Sequence, residues 1–198
     1  SDIPVIAHEI GQWPVYPDWK EITKYTGVLQ AKNLEVLRSI AEEHKTLEQA
    51  DDFRKVSGAL NQLMYKDEIE SFLRTPSCAG FDLLSMQDYQ GQGEALVGWL
   101  DVFFDSKNII TPERFRNYCD TTVPLLRVVK RVWKSSEAFT ARIQLAHYGR
   151  ADITDVVYWK IKDDQSNVIG GGTLDRRTFQ MGSSEIIGGI TCSLQDIK

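Results

Sequence analysis

The chain has 198 residues, 42% of them apolar and 26% charged, with a formal net charge of −5 and a pI near 5.3. That is an ordinary globular composition, room for one large domain or two small ones, and it excludes collagen-like and disordered classes. An acidic chain without a basic face is a poor nucleic-acid binder, and no apolar run approaches the roughly 20 residues of a membrane helix, so neither nucleic acid nor membrane insertion is expected. Arg127, Lys130 and Arg131 form the one tight group of bases and read as a solvated edge. Cys78, Cys119 and Cys192 lie far apart, without Cys-x-x-Cys spacing, and read as buried thiols. The first residues lack the basic start and apolar core of a signal peptide.

In chain order, residues 4–9 (Pro-Val-Ile-Ala-His-Glu) read as a buried parallel strand that ends abruptly in polar side chains. Gly11 and Pro14 then open a loop rich in large rings: Trp13, Tyr16 and Trp19. A helix is predicted over residues 31–43, with Leu34, Leu37, Ile40 and Ala41 on one face. A second begins at a capping box, Thr46 with Gln49, and ends before Pro76. Its apolar stripe is Ala50, Phe53, Leu60, Leu63, Met64 and Phe72. Residues 79–86 read as a second buried strand running into the polar loop 87–93. Thr111 with Pro112 starts a third helix, which ends before Pro124.

After about Arg127 the pattern changes to period two. Phe139, Ala141, Ile143, Leu145 and His147 alternate with more polar residues, and further strands are expected over 155–161, 168–174 and 185–193. Polar turns separate them, and Gly170, Gly171 and Gly172 read as a bulge or turn. These strands suggest an immunoglobulin-like β-sandwich short of its full complement. Both ends of the chain read as cuts through larger units.

Among chemically active residues, Glu9 stands first, because it follows directly on a strand, where barrel enzymes place catalytic groups. A retaining glycosidase pairs such a carboxylate with a second one about 5–5.5 Å away, and aromatic faces beside it would suit sugar rings. His8-Glu9 lacks the second histidine of a zinc-protease motif, since position 12 is Gln. No metal or other cofactor is expected. Gln87, Asp88 and Gln92 offer donors and acceptors for hydroxyl groups, with Gly91 and Gly93 allowing close backbone approach.

The stretch Pro4-Val5-Ile6-Ala7-His8-Glu9-Ile10-Gly11-Gln12 resembles the seventh barrel strand of glycoside hydrolase family 2 enzymes, relatives of β-galactosidases and β-glucuronidases. Thr75-Pro76-Ser77-Cys78-Ala79-Gly80-Phe81-Asp82-Leu83-Leu84 resembles the run into their eighth strand. Residues 24–29 and 87–93 are similar to phrases in a branch from polysaccharide-degrading bacteria. The resemblance implies an α/β part followed by an all-β part. Residues 1–127 would be the C-terminal portion of a (β/α)8 barrel, and 128–198 a partial immunoglobulin-like sandwich. It further implies a retaining hydrolase of glycosidic bonds with Glu9 as nucleophile. His8, Gln12, Trp13, Tyr16, Gln87, Asp88 and Gln92 would contact a carbohydrate substrate, and the parent would be periplasmic or on the cell surface. The family's proton donor follows an asparagine; this sequence has no Asn-Glu dipeptide, so the chain by itself is expected to be inactive. The eighth strand also lacks the family's Trp-x-Asp pattern. A non-catalytic carbohydrate-binding or interaction module is the alternative, and open sheet edges would favour self-association.

Overall fold

The computed structural model describes residues 3–89 and 95–195. The chain divides into two compact units: Ser1–Phe72 with Ser77–Arg116, and Leu73–Pro76 with Asn117–Lys198.

In the first unit, β1 (Val5–Ile10) pairs in parallel with β2 (Cys78–Leu83) as a two-stranded sheet. Neither strand is buried as its apolar sequence suggests. Val5 is 52% exposed and Ile6 66%, in a sheet to which, among the described residues, no third strand is added. Helix α1 (Lys32–Glu43) buries Leu34 and Ala41. Thr46 caps no helix through its side chain. Its hydroxyl donates back to the Ala41 carbonyl, and a short 3-10 turn at Leu47–Gln49 leads into α2 (Ala50–Leu73).

The buried face of α2 departs from the apolar stripe the sequence suggests, of which Ala50 alone is buried. Leu60 and Leu63 are more than half exposed, whereas Gly58, Asn61, Tyr65 and Ile69 are buried at helical spacing. The reason is polar. Asn61 Nδ2 donates to the Trp13 carbonyl at 2.5 Å, and Glu68 Oε2 accepts from the Gly11 amide and the Trp13 indole, both at 3.0 Å. These bonds turn that face toward the 11–18 loop. Gly11 has φ +86°, and a Cβ there would lie 2.1 Å from the Tyr65 ring, so only glycine fits. Helix α3 spans only Pro112–Arg116, with Thr111 Oγ1 accepting from the Arg114 amide.

The second unit is β. Strand β3 (Thr122–Arg127) pairs antiparallel with β4 (Ala138–His147), which pairs with β7 (Ser183–Ser193); β5 (Ile153–Lys162) and β6 (Val168–Phe179) form a separate hairpin. The period-two segment and the three further expected strands thus fall on β4 to β7. Pro124 lies inside β3, not at a helix end, which an edge strand tolerates. The three glycines make no turn. They sit in register opposite Ile161, Lys160 and Trp159, since the Trp159 ring lies 3.0 Å from where a Gly172 Cβ would be and Cys192 Sγ 2.5 Å from that of Gly170. Ala141, Ile143, Leu145, Phe179, Ile187 and Ile190 form the core, with Val157, Trp159 and Leu174 against it. The three cysteines are unpaired and half-buried.

The (β/α)8 barrel is therefore overturned. Closure needs each strand paired on both sides, whereas β1 and β2 pair with each other alone among the described residues, and β3 joins an antiparallel sheet. The immunoglobulin-like sandwich is overturned as well, because the described strands of this unit form separate open sheets of three and two strands and not that fold's seven-strand arrangement. The resemblance to glycoside hydrolase family 2 falls with both.

Candidate functional site

The C-terminal ends of β1 and β2 bring the adjacent His8 and Glu9 together with the sequence-distant Asp82 in the open. His8 Nδ1 lies 3.1 Å from Asp82 Oδ2, and its Nε2 lies 3.7 Å from Glu9 Oε1. Glu9 adopts φ +53°, and its amide donates to Asp82 Oδ1 at 3.3 Å. Gln12 Nε2 donates to the Glu9 carbonyl, and Trp13 is held by Glu68. Glu9 lines neither the polar cavity nor the apolar groove of this unit, nor the mouth of any barrel.

A closed polar site forms instead where the 15–24 loop, α2 and residues 84–89 and 95–109 meet. The sequence builds it from local turns. Asp18 caps a 3-10 turn, Trp19–Lys24, by accepting from the Lys20 amide, and this turn points Glu21 inward. The Val15 amide donates to the Leu96 carbonyl, and Gly98 and Lys107 hold Asp88 Oδ1 at 2.9 and 2.5 Å. Asp101 closes its own turn by accepting from the Phe103 and Asp105 amides, and it pairs with Lys24, which also reaches Asp105 at 2.7 Å. The result is a cavity of about 80 Å³ walled by Glu21, Lys24, Arg54, Asp88, Asp101 and Lys107, with Tyr16 beside them.

The electrostatics of this cavity are unbalanced at one place. Lys24 and Lys107 already have acidic partners, Asp101 with Asp105 and Asp88 respectively, whereas Arg54 approaches Asp51 only at 3.8 Å and its buried Nε has no hydrogen-bond partner among the described residues. Glu21 is 5% exposed and Asp88 3%. Glu21 Oε1 and Asp88 Oδ2 have no hydrogen-bond partner among the described residues. Burial, and then the negative charges of Asp88 and Asp101, push Glu21 up to about 7. Burial likewise raises Asp88 despite Lys107. For Asp101 burial pulls upward, but Lys24 and the backbone amides outweigh it and hold the carboxyl low. Tyr25, hydrogen-bonded to Glu21, is pushed up to about 12 by burial and by that carboxylate.

Of the residues singled out from sequence, Asp88 and Tyr16 line this cavity, while His8, Glu9 and Gln12 sit at the exposed edge. Tyr16 also packs edge-on against Trp19 and Phe53, and with Trp19, Leu37 and Ile40 it lines a neighbouring apolar groove of about 520 Å³. Gln87 bridges to Leu100 as backbone. Gln92 lies outside the described residues. Sequence reasoning gave Glu21, Asp101 and Lys107 no role, and noted Lys24 only within the 24–29 phrase of the resemblance. It also missed Asn61 and Glu68, polar residues of α2 to which the sequence analysis gave no role.

The second unit carries a groove of about 820 Å³ whose lining includes Arg74, Arg127, Lys130, Arg131 and Arg142 and no acidic residue. His147, by contrast, is structural: buried, with Nδ1 bonded to the Thr122 hydroxyl and Nε2 to the Ala151 carbonyl, both at 2.8 Å.

With no catalytic barrel, the retaining-glycosidase mechanism loses the scaffold that would set a second carboxylate across a sugar from Glu9. The reading of this chain as a glycoside hydrolase is withdrawn, with its implied role in polysaccharide degradation. Among the described residues no three His, Cys, Asp or Glu side chains converge as a metal ion would need. No curated protein matches the chain. Residues 137–198, from just before β4 onward, match a family described as a domain of unknown function (DUF8488).

Proposed function

We propose that the chain is a ligand-binding protein whose first unit takes a small protonated amine in the Glu21–Asp88 cavity. One observation carries the reading: two buried carboxyl oxygens lack partners, among the described residues, on residues that wall a cavity whose two lysines are already paired. A buried carboxylate without a partner is costly. A compact ammonium group, with three N–H donors and one positive charge, would satisfy Glu21 Oε1 and Asp88 Oδ2 together and supply the missing charge. The volume of about 80 Å³ admits a few water-sized groups and no more.

Because Glu21 titrates near 7, proton and amine compete for it. Binding therefore strengthens as pH rises through neutrality, where the carboxylate replaces the acid. Calorimetric titration of the full chain with methylamine is expected to saturate at pH 8 and to weaken about tenfold at pH 6. Tetramethylammonium, which has no N–H to donate, should not bind. Glu21→Gln is expected to abolish the pH dependence and most of the affinity. Methylamine binding that is absent in the wild type, or unchanged in the variant, would overturn the proposal.

A second reading concerns partners and rests on β1. Val5 and Ile6 are more than half exposed, on a strand whose outer edge has no ladder partner among the described residues. Such an edge invites pairing with a second copy of the same strand. Sedimentation velocity is expected to show concentration-dependent association that Ile6→Lys removes. A wild-type chain monomeric at every concentration, or a variant that associates equally, would rule this out.

A further inference from the structure

We infer that the groove of the second unit is a binding site for a small organic polyanion, a molecule bearing two or more phosphate or sulfate groups, seated between Arg127 and Arg142. The site stands in a different unit from the amine pocket and does not rest on it.

Arg127 of β3 and Arg142 of β4 are direct cross-strand partners, so their side chains leave the same face of the sheet side by side. Like charges placed opposite each other on a ladder destabilise it. Among the described residues Arg127 is tied to neutral acceptors alone, the Gln144 side chain at 2.5 Å and the Arg74 carbonyl at 3.1 Å. Arg142 is exposed, and no partner for its side chain is present among the described residues. The positive charge of this pair is therefore uncompensated. Lys130, farther along, is neutralised by Glu137 at 2.5 Å.

The neighbouring strand leaves room for a ligand at the same level. Arg142 faces Gly189 of β7, which has no side chain, and two residues away Thr140 faces Thr191. All four line the groove, so a bed of guanidinium groups, hydroxyls and open backbone lies on the sheet face away from the Ile143–Ile187 core. Planar guanidinium groups bind tetrahedral oxyanions through paired N–H donors, and two of them side by side can bridge one such group. The volume of about 820 Å³ far exceeds a single inorganic anion, which points to a ligand with several anionic groups. No aromatic ring lines the groove, among the described residues, to stack a base, which argues against a nucleic-acid strand.

The test is calorimetric titration of the full chain with tripolyphosphate and, separately, with sucrose octasulfate, at low and at physiological salt. At least one is expected to bind with a single saturable isotherm that weakens with salt; which one distinguishes a phosphate source from a sulfate source. Arg142→Glu should weaken that binding at least tenfold. Lys160→Glu, the same charge reversal on exposed β5, should leave it within twofold. Circular dichroism on both variants checks that the sheet persists, and Arg142→Gln, which removes charge without reversing it, gives an intermediate loss if folding of the first variant fails. Failure of both anions to bind the wild type, or equal binding by the Arg142 variants, would discard the inference.

Discussion

Replacing Asn61 with leucine is expected to destabilise the first unit by about 3–5 kcal/mol, although the exchange trades a polar residue for an apolar one of similar volume inside a helix. Asn61 is 1% exposed. Its amide donates to the Trp13 carbonyl at 2.5 Å and the Val97 carbonyl at 3.4 Å, and its Oδ1 accepts from the Trp99 indole at 3.1 Å. Tyr65, fully buried one turn on, has its hydroxyl on the same Val97 carbonyl, so that acceptor keeps one donor after the exchange. The Trp13 carbonyl and the Trp99 indole do not. Each buried polar group left unmade costs about 1–3 kcal/mol, and the leucine cannot turn out to solvent from the middle of α2. Helix propensity favours leucine by only a few tenths of a kcal/mol, far too little to offset the loss. Urea unfolding, with hydrogen exchange on the amides of α2, measures the effect. A loss below about 1 kcal/mol would show that the loop is held by its other bonds, chiefly those of Glu68.

The same residue marks where sequence reading stops. The strands β4 to β7 are legible through local signals, period-two alternation in β4 and apolar stretches between polar turns for β5 to β7. The barrel expectation rests on local signals too, but on apolar runs such as Pro4-Val5-Ile6-Ala7, which look the same whether neighbours cover them or not. Here Ile6 is mostly exposed, since coverage is a property of the partners and not of the run. The buried face of α2 is not legible because apolar periodicity outvotes two polar residues whose partners lie 48 and 55 positions away.

The candidate sites follow the same rule. Glu21 sits in Lys20-Glu21-Ile22-Thr23-Lys24, a stretch with every mark of a solvated turn. Only the chain's return near Asp88 and Asp101 buries it. Asp88 is legible as a polar loop residue, but not as half of a buried ion pair with Lys107. Of the five bases around the second unit's groove, the sequence displays Arg127, Lys130 and Arg131 together. Arg142 joins them through the β3–β4 register, and Arg74 through its backbone bond to Arg127. Residue patterns thus report what a segment does along itself, and ladders and loop closures decide which charges meet.

Glu21 also predicts how stability changes with pH. Its carboxyl moves from an ordinary 4.5 to about 7 on folding, because burial and then Asp88 and Asp101 disfavour the charged form. Between those values the folded chain holds a proton that the unfolded chain has released, so the unfolded state binds fewer protons and stability falls as pH rises. The contribution is fully present below pH 4.5 and is lost by the time pH passes about 7. The loss amounts to about 3 kcal/mol, from 1.36 kcal/mol per unit. Asp88, raised as well, adds a loss of the same sign. Asp101, held low, acts oppositely and only in more acidic solution, where its pair with Lys24 is protonated away. Urea midpoints at half-unit steps from pH 4.5 to 8 are expected to decline for the wild type. For Glu21→Gln, whose amide does not titrate, they should run much flatter, with the variant the more stable of the two at pH 8. A wild-type profile without that decline, or a glutamine variant that follows it step for step, would mean that Glu21 ionises as freely in the fold as in water and that the cavity is open to solvent.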